Sequence, residues 1–450
     1  MSFPRYKQYK DSGIVWLGKI PSHWKIIRLK NVLKQKITDG PHLTPTFTNE
    51  GIPFLSVDGI QNGELVFESC RYISQQDHSE FRKKALPIRN DLLMGKAAST
   101  GKIARVKVDH EFSIWSPLAL IRVDKLRSVP EFIEYVLKSP LTQAEIDTFC
   151  TVNTQKNISM DDIPRLTISS PPLDEQKLIV KFLDKETSKI DKLVAEQEKL
   201  IELLKEKRQA VISHAVTKGV DLKVKMKDSG LEWLGEVPEN WNVQRIRRFV
   251  KLNPSKSEIG ELDKKTEVSF LPMEAIGEEG ALSLEMTKPL SEVESGYTYF
   301  REGDVTIAKI TPCFENGKGA VMKGLHNGFG FGTTELIVAR PIDGKVTSDF
   351  LYRLFSSTHF RKNAEGSMYG AGGQKRVPDE FIREFQAGLP PISDQIKITE
   401  FLDYETAKFE SLIKEAMSVI SLLNERRSAL ISAAVTGQID VRNYQPKEPT

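Results

Sequence analysis

A stretch of about fifty residues is written twice in this chain of 450. PPLDEQKLIVKFLDKETSKIDKLVAEQEKLIELLKEKRQAVISHAVTKGVD runs from Pro171 to Asp221, and PPISDQIKITEFLDYETAKFESLIKEAMSVISLLNERRSALISAAVTGQID from Pro390 to Asp440. The offset is 390 − 171 = 219, and about half of the aligned positions are identical. A second pair precedes it: KDSGIVWLGKIPSHW from Lys10 to Trp24 and KDSGLEWLGEVPENW from Lys227 to Trp241, at 227 − 10 = 217. Solenoid units are roughly 20–50 residues long, so a period this long is a duplicated domain with its connector. The expected plan is a first globular head over 1–170, a long helix over 171–221, a second head over 222–389, a second helix over 390–440 and a tail over 441–450.

The connector reads as helix. Ile190, Leu193, Leu200, Leu204, Val211 and Ala215 recur at spacings of three, four and seven, as do Phe409, Leu412, Val419, Leu423, Leu430 and Ala434. Such a stripe is an apolar seam of the coiled-coil type, flanked here by Glu and Lys. Pro172 and Pro391 stand just before each helix, and Gly219 and Gly437 just after, where each residue type is tolerated. Two long helices with matching seams in one chain pair most simply with each other, antiparallel. Two ordinary core helices are the plainer alternative.

The heads diverge in residues but keep an order of elements. IPFLSV, DLLMG and LALIRV in the first correspond to VSFLPM, DVTIAKI and ELIVARP in the second. A short helical run follows the third strand in each, PEFIEYVLKS from Pro130 and SDFLYRLFSS from Ser348. The tryptophan-rich opening segments hold Trp16, Trp24, Trp233 and Trp241. They read as clasps packing each head on the helices, because indole rings usually bury.

Charge separates the heads. Residues 1–170 carry 24 Lys+Arg against 18 Asp+Glu, or +6, whereas residues 227–389 carry 21 against 24, or −3. A nucleic-acid reading gains support from the first and none from bulk charge in the second. In the second, a cationic face has to be local, from Arg245, Arg247 and Arg248, from Arg361 and Lys362, or from Lys375 and Arg376. The three cysteines, Cys70, Cys150 and Cys313, are scattered, which fits a reducing cytoplasm and neither a disulfide framework nor a zinc site. No apolar run approaches the ~18 residues a membrane helix needs.

Motifs of catalysis are missing. GKAASTGKI from Gly95 has five residues between its glycines, and Ile103 follows Lys102 where a phosphate-binding loop needs Ser or Thr. No GxGxxG, HExxH or GxSxG occurs. A binding protein is therefore expected, without catalytic residues, metal or cofactor of its own.

The candidate contacts lie in polar, glycine-rich loops at matching places. The first head offers Thr38, Asp39, His42 and Thr44 in TDGPHLTP, and Lys96, Ser99, Thr100 and Lys102 in KAASTGK. The second offers Lys309, Thr311, Asn316 and Lys318 in KITPCFENGKG, and Thr333 and Thr334 in FGTTELIVARP. Hydroxyls, amides and lysines in close order suit phosphates and base edges, although any one loop is equally a plain turn. VNTQKNIS and AGGQKRVP add Gln155, Lys156 and Asn157, and Gln374, Lys375 and Arg376. The Gln–Lys pair is open between DNA contact and fixing the head on its helix.

Taken together, the two opening segments, PPLDEQ with PPISDQ, DGPHLTP followed by GIPFLS, and ITPCFENGKGA followed by FGTTELIVARP make the chain resemble the specificity subunits of type I restriction–modification systems. The resemblance covers nearly the whole chain. It implies an α+β fold with two α/β globular target recognition domains, each followed by a long helix. The helices pair as an antiparallel coiled coil with pseudo-two-fold symmetry. Each head is expected to read one half of a bipartite, asymmetric site in double-stranded DNA. The helices are expected to set the spacer and dock two methyltransferase subunits, with restriction subunits joining to make the nuclease. Methyl donor, ATP and magnesium then belong to those partners. Competing readings are a coiled-coil scaffold bridging two ligands without DNA specificity, and a methyltransferase in its own right.

Overall fold

The computed structural model describes residues 3–152, 155–221, 223–371 and 373–444. Leu222 and residues 445–450, at the edges of the expected second head and tail, lie outside them, as do Asn153, Thr154 and Gly372 in the two Gln–Lys segments. The chain forms two compact units, Met1–Gln197 with Ser418–Thr450, and Glu198–Met417. Each unit holds one head, half of one long helix and half of the other.

The long helices are α1 (Leu173–Lys218) and α2 (Ile392–Val435). At about 1.5 Å per residue, the 46 residues of α1 extend roughly 69 Å. Gly219 and Gly437, at φ +78° and +72°, adopt the left-handed turn that ends a helix. Pairing is antiparallel in both units. In the first, Arg427 donates to Asp191 at 2.9 Å; in the second, Arg208 lies 3.5 Å from Glu410. The residues correspond at the repeat offset, 191 + 219 = 410 and 208 + 219 = 427. One duplicated pair is thus used twice with the helices exchanged.

The seam differs from its sequence reading in where it buries. Leu193, Leu200, Leu412 and Val419 are 41–46 % exposed, while Ile179, Phe182, Ile212, Val216, Ile398, Leu402 and Ile431 are buried. A two-helix contact covers one face of each helix and no more. Seam residues Ile190, Ala215, Phe409 and Ala434 are buried as their spacing predicts, and the turns at the helix ends also pack on a head: Ile179, Phe182 and Ile431 share a core with Trp24, and Ile212, Ile398 and Leu402 share one with Trp241.

Each head has the same principal sheet. In the first it comprises β1 (Thr38–Asp39), β2 (Leu92–Gly95), β3 (Ile103–Arg105) and β4 (Leu118–Ile121), ordered β3-β2-β4-β1 and antiparallel throughout. In the second it comprises β5 (Val250–Leu252), β6 (Val305–Ala308), β7 (Gly319–Val321) and β8 (Leu336–Pro341), ordered β7-β6-β8-β5. All four residues of β2 and of β6 are buried, which is why these runs read as continuous apolar stretches. A second sheet contains a parallel pair in both heads, Ile52–Leu55 with Ser113–Ile114 and Glu267–Leu271 with Phe329–Gly332. The buried Asp91 and Asp304, at the mouths of β2 and β6, each accept the two N–H donors of an arginine fork on both carboxylate oxygens, from Arg122 and Arg340, at 2.6–2.8 Å.

A short ladder closes each head at its base, Lys25–Arg28 on Thr167–Ser170 and Asn242–Arg245 on Gln386–Leu389. The chain therefore enters and leaves a head side by side and feeds straight into a long helix. Gln176 and Gln395 secure that junction. The amide of Gln176 accepts from Val129 N and Ser128 Oγ and donates to Pro171 O. Gln395 accepts from Thr347 N and donates to Lys345 O and Pro390 O. Of the four tryptophans in the opening segments, Trp24 and Trp241 act as clasps at 0 % and 2 % exposed, with the Trp24 indole donating to Glu175 Oε1 at 3.1 Å, whereas Trp233 is half-buried and Trp16 is 40 % exposed. No helix among the described residues is long and apolar enough to cross a membrane.

Candidate nucleic-acid interface

Three polar segments, far apart in sequence, meet at one end of the principal sheet of the first head. Lys96–Lys102 is the turn of the β2–β3 hairpin, closed by Gly101 N to Gly95 O at 2.8 Å. It is a strand–strand turn, so the phosphate-loop likeness carries nothing. Thr151–Val152 pairs antiparallel with Lys156–Asn157. Residues 156–158 dock on that turn through a bridge between Ala97 and Asn157, Ile158 N to Lys96 O at 2.9 Å, and Thr100 Oγ1 to Lys156 O at 2.7 Å. The third segment is β1 itself, Thr38–Asp39, paired with β4, and the loop that follows it to Thr44.

Its charges are organised by Asp39. This carboxylate is 6 % exposed and takes Lys84 Nζ at 2.5 Å on one oxygen and Lys96 Nζ at 2.6 Å on the other. His42 Nε2 lies 3.3 Å away. Burial alone would raise its pKa, but the hydrogen bonds from Lys84 and Lys96 outweigh that and hold it below the usual carboxylate range. Asp39 is thus placed to anchor cations, and Lys96, with 12 % of its side chain exposed, is largely spent on it. Lys156 pairs with Asp147 at 2.5 Å. Thr38 lies within β1, its hydroxyl buried without a partner among the described residues. His42, Thr44, Lys102, Gln155 and Asn157 are exposed, and Ser99 and Thr100 half-buried. Lys84 was missed from sequence because it follows a short helix, in no recognisable motif.

The second head repeats the arrangement. The β6–β7 connection carries Lys309–Lys318, and Arg376 reaches it through a bridge to Ile310 while also bridging Tyr369. Val377 N donates to Lys309 O at 2.9 Å, the counterpart of Ile158 on Lys96 (377 − 158 = 219). Thr311 is a hub. Its N–H donates to Lys375 O at 3.0 Å, and its hydroxyl donates to Gly373 O at 2.6 Å and accepts from Lys375 N at 3.0 Å. Lys318 Nζ donates to Met273 O at 2.8 Å. Arg361 donates to Phe314 O at 2.6 Å and stiffens the same loop from behind. Asn316, Thr334, Gln374 and Lys375 are exposed; Lys309 and Thr333 are half-buried, and Thr333 Oγ1 accepts from Glu335 N at 3.3 Å. Arg376 makes a two-pronged pair with Glu335, Nε to Oε2 at 3.0 Å and Nη2 to Oε1 at 2.7 Å.

Of the other cations named for this head, Arg248 and Lys362 are exposed. Arg245 and Arg247 share Glu384. In both heads the Gln–Lys segment is built onto the hairpin turn, and the helix junction is held instead by Gln176 and Gln395. The arrangement presents hydroxyls, amides and lysines on a rigid frame. It can offer hydrogen bonds and positive charge to a groove and a phosphate backbone.

Comparison with known proteins gives a consistent picture. The family model described as "Type I restriction modification DNA specificity domain" matches twice, at residues 21–203 and 238–417. The EcoAI specificity subunit of Escherichia coli is 42% identical over 165 residues, which cover 36% of this chain and 27% of that protein. The putative MjaX specificity subunit of Methanocaldococcus jannaschii is 23% identical over 98% of this chain and 99% of its own. A solved chain from work on complex assembly and conformational transition of the type I restriction–modification system has the same fold. Its TM-score is 0.67 at 16% identity, covering 92% of this chain and 98% of that one.

Proposed function

The chain belongs to the type I restriction–modification DNA specificity family, and from that premise we propose that it reads a bipartite, asymmetric site in double-stranded DNA, one half with each head. The observation that carries this is the double convergence of polar loops. Segments 38–44, 96–102 and 155–157 in one head, and 309–318, 333–334 and 374–376 in the other, are gathered on the same repeated frame although their residues differ. A shared frame with unlike contact loops suits two unlike half-sites.

The helices α1 and α2 act as spacer between the half-sites and as docking surface for two methyltransferase subunits. Restriction subunits join that complex for cleavage. The chain itself is not catalytic. Methyl donor, ATP and magnesium bind to the partners, and assembly takes place in the cytoplasm. The +6 of the first head supplies more of the phosphate attraction than the −3 of the second. The methyltransferase subunits make up the difference.

The test is a map of methylated adenines in cells expressing the chain with its methyltransferase subunits. A two-part motif with an unread spacer is expected, and replacing residues 31–170 by the head of a relative should change one half alone. Both halves changing together would refute independent reading. Absence of any motif, with the complex formed, would favour a scaffold without DNA specificity.

A further inference from the structure

Glu335 does not belong to the polar loop tips, yet it fixes one of their side chains in a single orientation. It stands at the mouth of β8, where its N–H donates to Thr333 Oγ1 and its carbonyl accepts from Lys309 N at 2.9 Å. Arg376 is equally held in its backbone: its N–H donates to Tyr369 O at 2.8 Å, and its carbonyl accepts from Tyr369 N at 3.2 Å. The contact between the two side chains uses the flank of the guanidinium, Nε and one hydrogen of Nη2.

A guanidinium has five N–H donors in a plane. With the flank occupied, the end of the fork, Nη1 and the remaining Nη2 hydrogen, makes no hydrogen bond among the described residues. That end is the edge that matches O6 and N7 of guanine in a major groove. A carboxylate on the flank also removes most of the rotamer freedom that a free arginine loses on binding. Arg376 is 36 % exposed, and Lys375 and Gln374 beside it are exposed. We propose that Arg376 reads a guanine in the half-site of the second head, and that Glu335 is its positioning residue. This rests on the DNA-reading function proposed above.

The pair is private to one head. At the repeat offsets, 376 − 219 = 157 and 335 − 218 = 117, the first head has Asn157 and Pro117. The second offset follows the sheet register, in which Leu118 faces Gly95 as Leu336 faces Ala308. The first head therefore lacks the fork and its buttress, and its exposed Asn157 amide suits a different base.

The experiment starts from the mapped motif of the wild-type complex and measures binding of duplexes substituted at each base pair, at several salt concentrations. Arg376→Ala should lose roughly tenfold to a hundredfold of its preference at one G·C pair of one half-site, with the other half-site unchanged. Arg376→Lys keeps the charge but not the fork, and should relax the same base pair while keeping its salt dependence. Glu335→Gln should relax it less. Uniform weakening with a shallower salt slope would make Arg376 a phosphate contact and overturn the inference. Unchanged discrimination in folded Arg376→Lys would make the pair a structural one, with the same consequence. A wild-type complex without any motif would overturn the DNA-reading function itself, which is a separate result.

Discussion

Gln176 and Gln395 are the residues on which attachment of each head to its helix turns. Gln395 is 0 % exposed and ties three main-chain groups, Thr347 N, Lys345 O and Pro390 O, to the first turn of α2. Gln395→Leu fills the same volume and leaves those groups buried without partners. At about 1–3 kcal/mol for an orphaned group, and with some relaxation, the second unit should lose roughly 3 kcal/mol. Denaturant unfolding would measure it, and a loss below about 1 kcal/mol would show that water replaces the amide. The repeat makes this glutamine conspicuous in PPLDEQ and PPISDQ. Its role was not legible, because its partners lie 47 and 48 residues upstream in a head. Asp39 illustrates the converse. Its place in a polar loop suggested a contact, whereas burial between Lys84 and Lys96 makes it a holder of cations. Sequence shows that a residue is polar, but whether its charge is spent depends on neighbours that folding supplies.

At the scale of elements more was legible. Each apolar run singled out in the heads is a strand, and the short helices Pro130–Lys138 and Ser348–Ser356 lie where the sequence put them. Periodicity is a local property, so it survives divergence of the residues themselves. The helical seam was legible in kind but not in extent, since periodicity does not say which turns a head covers. Ile212 and Ile431 are the test pair. They correspond at 431 − 212 = 219 and are 3 % and 2 % exposed in the second and first units. Ile212→Ala and Ile431→Ala should each cost about 3 kcal/mol by lost burial and a residual cavity. Leu193→Ala, at a position 45 % exposed, should cost well under half as much in the free chain. Hydrogen exchange should place each isoleucine's loss in its own unit. Equal costs for all three would mean that the mid-helix turns are as covered as the ends.

The whole molecule is one plan used twice, and duplication has kept the connector far closer to its copy than the heads. That contrast is intelligible if the helices carry a dimension while the heads carry a choice of sequence. The consequence can be tested with no head residue changed. Four residues inserted between Glu198 and Leu204 lengthen α1 by about 6 Å, at 1.5 Å per residue. Four residues make slightly more than one turn, so the apolar face is roughly kept, with a local stutter. At about 3.4 Å per base pair along one strand, the unread spacer should grow by at most about two base pairs. Both half-sites should stay as they were, because Arg376, Gln374, Gln155 and the loops that hold them are untouched. The readout is the methylated-adenine map in cells carrying the insertion, with partner binding confirmed by co-purification. An active complex that keeps the original spacer would show that α1 does not set it. Conservation of the connector would then have to be explained by partner docking alone.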